Sequence, residues 1–176
     1  MQAGPIVNLL GAELDGGTLL LAKMRFAGPG TVRMPTPTEI KKALIAAGFE
    51  LYRTRGEVVH VAERVRENLL MDSGIFVHTG RSTVGFVVRA QHTDFPNDSE
   101  DQLFVRARAL AGDALERGYR EVEASTRAIF DPGDGDRKLD TWCEVQFERD
   151  ADGIDGALDE VRFALGFPKS AGNQSS

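Results

Sequence analysis

Two long runs, REVEASTRAIF (120–130) and KLDTWCEVQFE (138–148), alternate apolar and polar residues and are separated only by a short stretch built on DPGDGD. A period of two belongs to a strand with one covered face, because successive side chains point to opposite sides of the backbone. A joint this short and this rich in Gly, Pro and Asp lets the two runs meet only as an antiparallel hairpin. The expected inward sets are Val122, Ala124, Thr126, Ala128 and Phe130 on the first run, and Leu139, Thr141, Cys143, Val145 and Phe147 on the second.

The same logic applies upstream. FELYRT and VVHVAERV flank Arg55-Gly56, and IFVHTG and STVGFVVRAQHT flank Gly80-Arg81, so two further hairpins are expected. Met71-Asp72-Ser73-Gly74 reads as a turn. Three stretches switch to helical spacing. In the first, Thr36 and Glu39 form a capping box around Pro37, with Ile40, Ala43, Leu44 and Ala47 on one face and Gly48 as the stop. In the second, Ser99 and Gln102 repeat the capping box ahead of Leu103, Ala107, Leu110, Ala111 and Ala114, closed by Gly118. In the third, Asp152 precedes Ile154, Leu158, Val161 and Leu165, closed by Gly166 and Pro168.

The resulting order is helix, four strands, helix, two strands, helix. Strands joined as hairpins with few crossovers predict an α+β domain: an antiparallel sheet of about five or six strands with three helices, mostly on one face. The domain is expected over 34–168. The glycine-rich residues 1–33 read as a flexible extension or an over-long start, and 169–176 as a disordered tail.

This order of elements resembles the type III secretion chaperone-like fold, including its YbjN-like relatives, over roughly 36–167. The resemblance implies a homodimer that holds a partner polypeptide and catalyses nothing. It rests on element order, so it carries over no functional residue. The chain departs from the pattern in having four early strands where three are usual, and in its many arginines.

A net charge of −6 opposes non-specific binding to nucleic acid or to an anionic membrane. No apolar run approaches the roughly 18 residues of a membrane span, and no secretory signal opens the chain, so a cytoplasmic protein is expected. Cys143 is the only cysteine, which excludes an intrachain disulfide and a thiolate cluster. Its place in an alternating run reads as a small buried side chain.

The candidate chemistry is sparse. His60 and Glu63 have H-x-x-E spacing, but Val58, Val59 and Val61 around them favour a strand, and a strand points the two side chains to opposite faces. The alternation instead aligns His60 with Arg64 and Arg66. Arg53 and Arg55 lie on the neighbouring run, so these five residues are the candidate contact for an anion or an acidic partner. The alternative pairs the arginines with Glu50, Glu57, Glu63 and Glu67. His78 is expected opposite Thr83 in the second hairpin, and no convergence of His60, His78 and His92 on a metal is expected.

Glu121, Glu123, Asp140, Glu144 and Glu148 are placed on the outer side of the last two strands as a solvated face. Asp131, Asp134 and Asp136 crowd the last turn without the rest of a calcium-loop pattern. Trp142 beside Ile129 on an outer sheet face is the expected partner-binding anchor. The expected function is therefore a non-enzymatic protein-binding module, chaperone- or adaptor-like, acting as a homodimer without cofactor or metal. The alternative is a small enzyme or ligand-binding protein with a pocket lined by His and Arg.

Overall fold

The computed structural model of the chain describes residues 35–167. The readings of 1–33 as an extension and of 169–176 as a tail fall outside the described residues. In chain order the elements are α1 (Pro37–Ala46), β1 (Leu51–Arg55), β2 (Val58–Arg66), β3 (Leu69–His78), β4 (Thr83–Gln91), α2 (Glu100–Ala109), α3 (Gly112–Glu116), β5 (Arg120–Asp131), β6 (Asp134–Asp150) and α4 (Gly153–Leu165). The six strands form one sheet in the order β1-β2-β3-β4-β6-β5, and every neighbouring pair is antiparallel. The fold is α+β, as the alternating runs predict.

Local chemistry starts two of the helices where the sequence places their caps. The Thr36 hydroxyl accepts the Glu39 N–H while the Glu39 carboxylate accepts the Thr36 N–H at 2.8 Å. Ser99 and Gln102 make the same reciprocal pair at the head of α2. Such caps satisfy N–H groups that have no partner inside the helix. Packing then fixes the helices to one side of the sheet. Ile40, Leu44, Leu103, Ala107, Val161 and Ala164 meet Val59, Val61, Ile75, Val77, Val84, Phe86, Val88, Cys143, Val145 and Phe147 in one core. Each large side chain there contributes about 1.5–3 kcal/mol through removal of apolar area from water.

The structure departs from the sequence reading in three places. The described residues form four helices rather than three, because the second helical stretch breaks after Ala109. Leu110 and Ala111 donate their N–H groups three residues back, to Ala107 and Arg108, and Gly112 follows. A tightened last turn and a residue of poor helix propensity end α2 there and restart the chain as α3. Second, β3 runs straight through Ser73-Gly74, and the β2–β3 turn is at Glu67-Asn68. The turn chemistry of Asp72-Ser73-Gly74 is used instead to make a bulge. Asp72 Oδ1 accepts the Gly74 N–H at 3.0 Å, Ser73 Oγ donates to the Val61 carbonyl at 2.9 Å, and Gly74 takes a φ of +75°. Between the pairs His60↔Phe76 and Ala62↔Asp72, the register slips accordingly.

Third, the whole set expected to face inward on β5 (Val122, Ala124, Thr126, Ala128 and Phe130) is exposed, and so is Leu139 on β6. The helices pack over β1 to β4 and β6, and touch β5 through α2 side chains, Arg108 on Glu121 and Glu100 on Thr126, without covering it.

One further property of the sheet positions the site. β3 pairs with β4 only from Ile75↔Phe86 to His78↔Thr83, whereas β4 stays with β6 as far as Gln91↔Trp142. Beyond Phe86 the sheet therefore splits, with β2–β3 leaving on one side and β4–β6–β5 continuing on the other.

Candidate functional site

The side of the sheet away from the helices has a concavity of about 370 Å³ where β3 and β4 part. Its floor is Gly74, Phe76 and Val87. One wall carries Tyr52, Arg53, His60 and Asp72, and the other Arg89, Trp142, Glu144, Gln146 and Arg127. The strand registers explain the convergence. Odd-numbered residues of β4 and even-numbered residues of β6 share this open face, while Val84, Phe86, Val88, Cys143, Val145 and Phe147 alternate into the core.

Phe76 makes the floor possible. It points to the open side, yet is only 6% exposed, because its ring lies across Gly85 of β4. A side chain at Gly85 would occupy that space and would also stand 2.8 Å from the Phe147 carbonyl oxygen. Gly74 approaches β4 closely too, with the Val87 carbonyl oxygen 3.2 Å from where its Cβ would be.

On the first wall, β1 and β2 pair Arg53 with His60, and both side chains come to Asp72 of β3. The Arg53 guanidinium and His60 Nδ1 each stand 3.4 Å from Asp72 Oδ2. Burial holds the His60 imidazole below its ordinary pKa; Asp72 pulls the other way, and the charges of Arg53 and Arg55 reinforce the burial. The imidazole is therefore neutral at pH 7. The acid that His60 meets is thus Asp72, across the β2–β3 bulge, and not Glu63 on its own strand. Sequence reasoning missed Asp72 because Asp-Ser-Gly reads as a turn. Its one visible signal was an Asp between two short apolar runs, Leu69–Met71 and Ile75–Val77.

On the second wall, the Arg89 guanidinium lies 4.5 Å over the Trp142 ring, an attraction between cation and aromatic face. Trp142 is half-buried, and its Nε1 donates to Asp140 Oδ2 at 3.0 Å. Partial burial works against ionisation of Asp140, but hydrogen bonds from the Thr141 N–H, from Thr93 and from Trp142 outweigh it and hold the carboxyl below its usual range. Arg127 reaches Glu144 at 3.3 Å. Ile129 of β5 sits opposite Asp140, two residues along from the Arg127↔Trp142 pair, so Trp142 and Ile129 are diagonal neighbours across the β5–β6 ladder.

The remaining residues singled out by sequence are dispersed. Arg64 turns to Glu50, with its Nε 3.1 Å from both carboxylate oxygens. Arg55 pairs with Val58 at the far end of β1, and Arg66 ends β2 at the hairpin tip. His78 does face Thr83, and its Nδ1 accepts the Arg81 N–H at 3.2 Å, while the His92 N–H donates to the Thr141 carbonyl past the end of β4. Among the described residues no three His, Cys, Asp or Glu side chains are grouped to hold a metal ion.

Glu148, expected in a solvated row, is 2% exposed. Arg81 holds it at 2.8 Å, Thr83 at 3.0 Å and Gln146 at 2.8 Å, so it is a structural carboxylate at the closed end of the split. Cys143 is fully buried, and burial raises its thiol pKa.

A somewhat larger hollow, about 420 Å³, lies on the helix side between Ala109–Asp113 and Phe163–Phe167. Asp113 is the one ionisable side chain in its lining, so the convergent chemistry belongs to the open face. No family model, curated protein or solved structure matches the chain, and no described helix is long and apolar enough to cross a membrane.

Proposed function

We propose that the domain is a protein-binding module, chaperone- or adaptor-like and without catalytic activity, that works as a homodimer and takes an extended polypeptide segment on its open sheet face. The observation that carries this reading is the split between β3 and β4 with its two walls. Three guanidinium groups (Arg53, Arg89 and Arg127) stand against two carboxylates (Asp72 and Glu144) around a floor of Phe76 and Val87. Arg53 is held by Asp72 and Arg127 by Glu144. Arg89 rests on Trp142, and a guanidinium placed there suits a carboxylate side chain of the segment, while Trp142 and Phe76 suit an apolar neighbour. The element order, which resembles the type III secretion chaperone-like fold apart from a fourth early strand, is in keeping with this reading.

Peptides selected from a random displayed library on the immobilised full chain should carry an acidic residue close to an aromatic or branched apolar one. In an amide chemical-shift titration they should perturb residues 72–76, 87–91 and 142–146. A selection that yields no common pattern, or shifts confined to the helix side, would sink the proposal.

The His60–Asp72 pair supports a second reading, in which a small anionic ligand occupies the same hollow and draws a proton onto His60, so that the ring holds Asp72 through Nδ1–H and donates to the ligand through Nε2. Small carboxylates or phosphate would then raise the melting temperature of the wild-type chain but not of His60→Ala.

A further inference from the structure

The open face ends at β5, a strand of 12 residues whose outer edge pairs with no described strand. An edge of this length offers a row of free backbone donors and acceptors, and soluble proteins blunt such edges or use them. We infer that β5 pairs antiparallel with β5 of a second copy of this chain, on a two-fold axis through Ser125, so that Glu123 of each copy meets Arg127 of the other. The inference rests on the homodimer reading above and supplies its interface.

The register follows from which face each residue occupies. Glu123, Ser125 and Arg127 stand opposite Gln146, Glu144 and Trp142 and so share the open face; Ala124, Thr126 and Ala128 stand opposite Val145, Cys143 and Thr141 and share the helix face. Two copies joined edge to edge around an axis normal to the sheet keep open face beside open face. A slip of one residue would set open-face side chains against helix-face ones, and is excluded.

Three registers then bring the middle of the strand together. Centring on Thr126 sets Glu123 against Ile129 and leaves Arg127 facing Ser125. Centring on Ala124 sets Arg127 against Glu121, but Glu121 lies opposite Phe147 on the helix face, where Arg108 grips it with two bonds of 2.8 Å. Centring on Ser125 alone gives two reciprocal pairs of opposite charge, Glu123 with Arg127 and Arg127 with Glu123, and sets small Ala124 against Thr126 on the other side.

Arg127 can serve both its own Glu144 and a second carboxylate, since its side chain is 63% exposed. The same charges that complement a second copy would repel a strand of unmatched sequence. Pairing in this way joins the two sheets into one and puts both concavities on a common face, so that one partner chain could engage both.

Sedimentation equilibrium of the full chain, run from about 1 to 100 μM, tests the inference. The wild type should dimerise. Glu123→Arg, which sets two cations against each other at both reciprocal pairs, should raise the dimer dissociation constant by about tenfold or more, and Arg127→Glu should do the same with two acidic pairs. An equimolar mixture of the two variants brings cation and carboxylate together again across the axis, so it should form a heterodimer where neither variant self-associates. Circular dichroism of each variant at low concentration should match the wild-type monomer, with Arg127→Glu melting somewhat lower because Glu144 loses its partner.

A wild type that stays monomeric at 100 μM would overturn the inference. So would a Glu123→Arg chain that dimerises as well as wild type, or a mixture that fails to heterodimerise. Affinity of the wild type for a selected peptide, measured alongside, separates this inference from the functional reading it rests on. A monomeric wild type that still binds the peptide would reject the edge pairing alone, whereas a wild type that dimerises but binds no peptide would reject the functional reading.

Discussion

His60 is where the local argument is most exposed to measurement. Its imidazole is neutral in the fold because burial and the neighbouring Arg53 and Arg55 outweigh Asp72, whereas in the unfolded chain it titrates near its ordinary value of about 6.5. The unfolded state therefore binds more protons than the folded one as the pH drops below that value. A lowered pKa on a base costs nothing above the unfolded value and destabilises the fold progressively below it, until the folded pKa is also passed. Urea unfolding should accordingly show stability falling from pH 7 toward pH 5, with a shallower fall in His60→Gln. Equal slopes in the two proteins would show that other groups carry the titration. Chemically, the lesson of this residue is one of pairing across strands. The H-x-x-E spacing suggests Glu63, and a strand removes it. The true neighbour, Asp72, arrives only because a bulge in β3 aims it back at β2, and that bulge is written in Asp-Ser-Gly, a signature shared with ordinary turns.

The strands show why so much of the fold could be read from the chain and why its split could not. Hairpins around Arg55-Gly56 and Gly80-Arg81, the long β5–β6 pair, the caps at Thr36 and Ser99, and the inward alternation of Cys143, Val145 and Phe147 are local signals, and local signals are what a sequence displays. The break between α2 and α3 is a slight local event, a tightened turn before Gly112 inside an apolar stripe that continues to Ala114. Exposure of Val122 and Phe130 is a fact of packing, because no helix covers them. Gly85 lies between these cases: a glycine inside an otherwise apolar strand signals close approach, but only the structure names Phe76 as the visitor. Gly85→Ala should cost about 1–3 kcal/mol in urea unfolding, since both the Phe76 ring and the Phe147 carbonyl must give way. It should also weaken peptide binding by lifting the floor of the concavity. A cost under about 0.5 kcal/mol, the range of an ordinary surface change, would mean that the ring is free to leave.

Taken as one object, the domain is a sheet with one face occupied and one face offered. Four helices and the core fill the first. The second carries a hollow between two walls, with Arg89 on Trp142 as the pair proposed to meet a carboxylate and its apolar neighbour. That pair also explains why the candidate site was only half legible. Trp142 stood out in the sequence as an anchor, but Arg89 lies on a different hairpin, and Arg53, Arg55, Arg64 and Arg66 drew attention by their density along the chain. The fold sends Arg64 to Glu50 and keeps Arg53 beside Asp72. The central claim is that a polypeptide segment binds on the open face. The most direct measurement is the calorimetric dissociation constant of a selected peptide for the wild type, Arg89→Ala and Trp142→Ala. Each variant should bind about tenfold or more weakly while melting within a few degrees of wild type, as expected for loss of a charged hydrogen bond or an aromatic anchor. Unchanged affinity in both variants would contradict it.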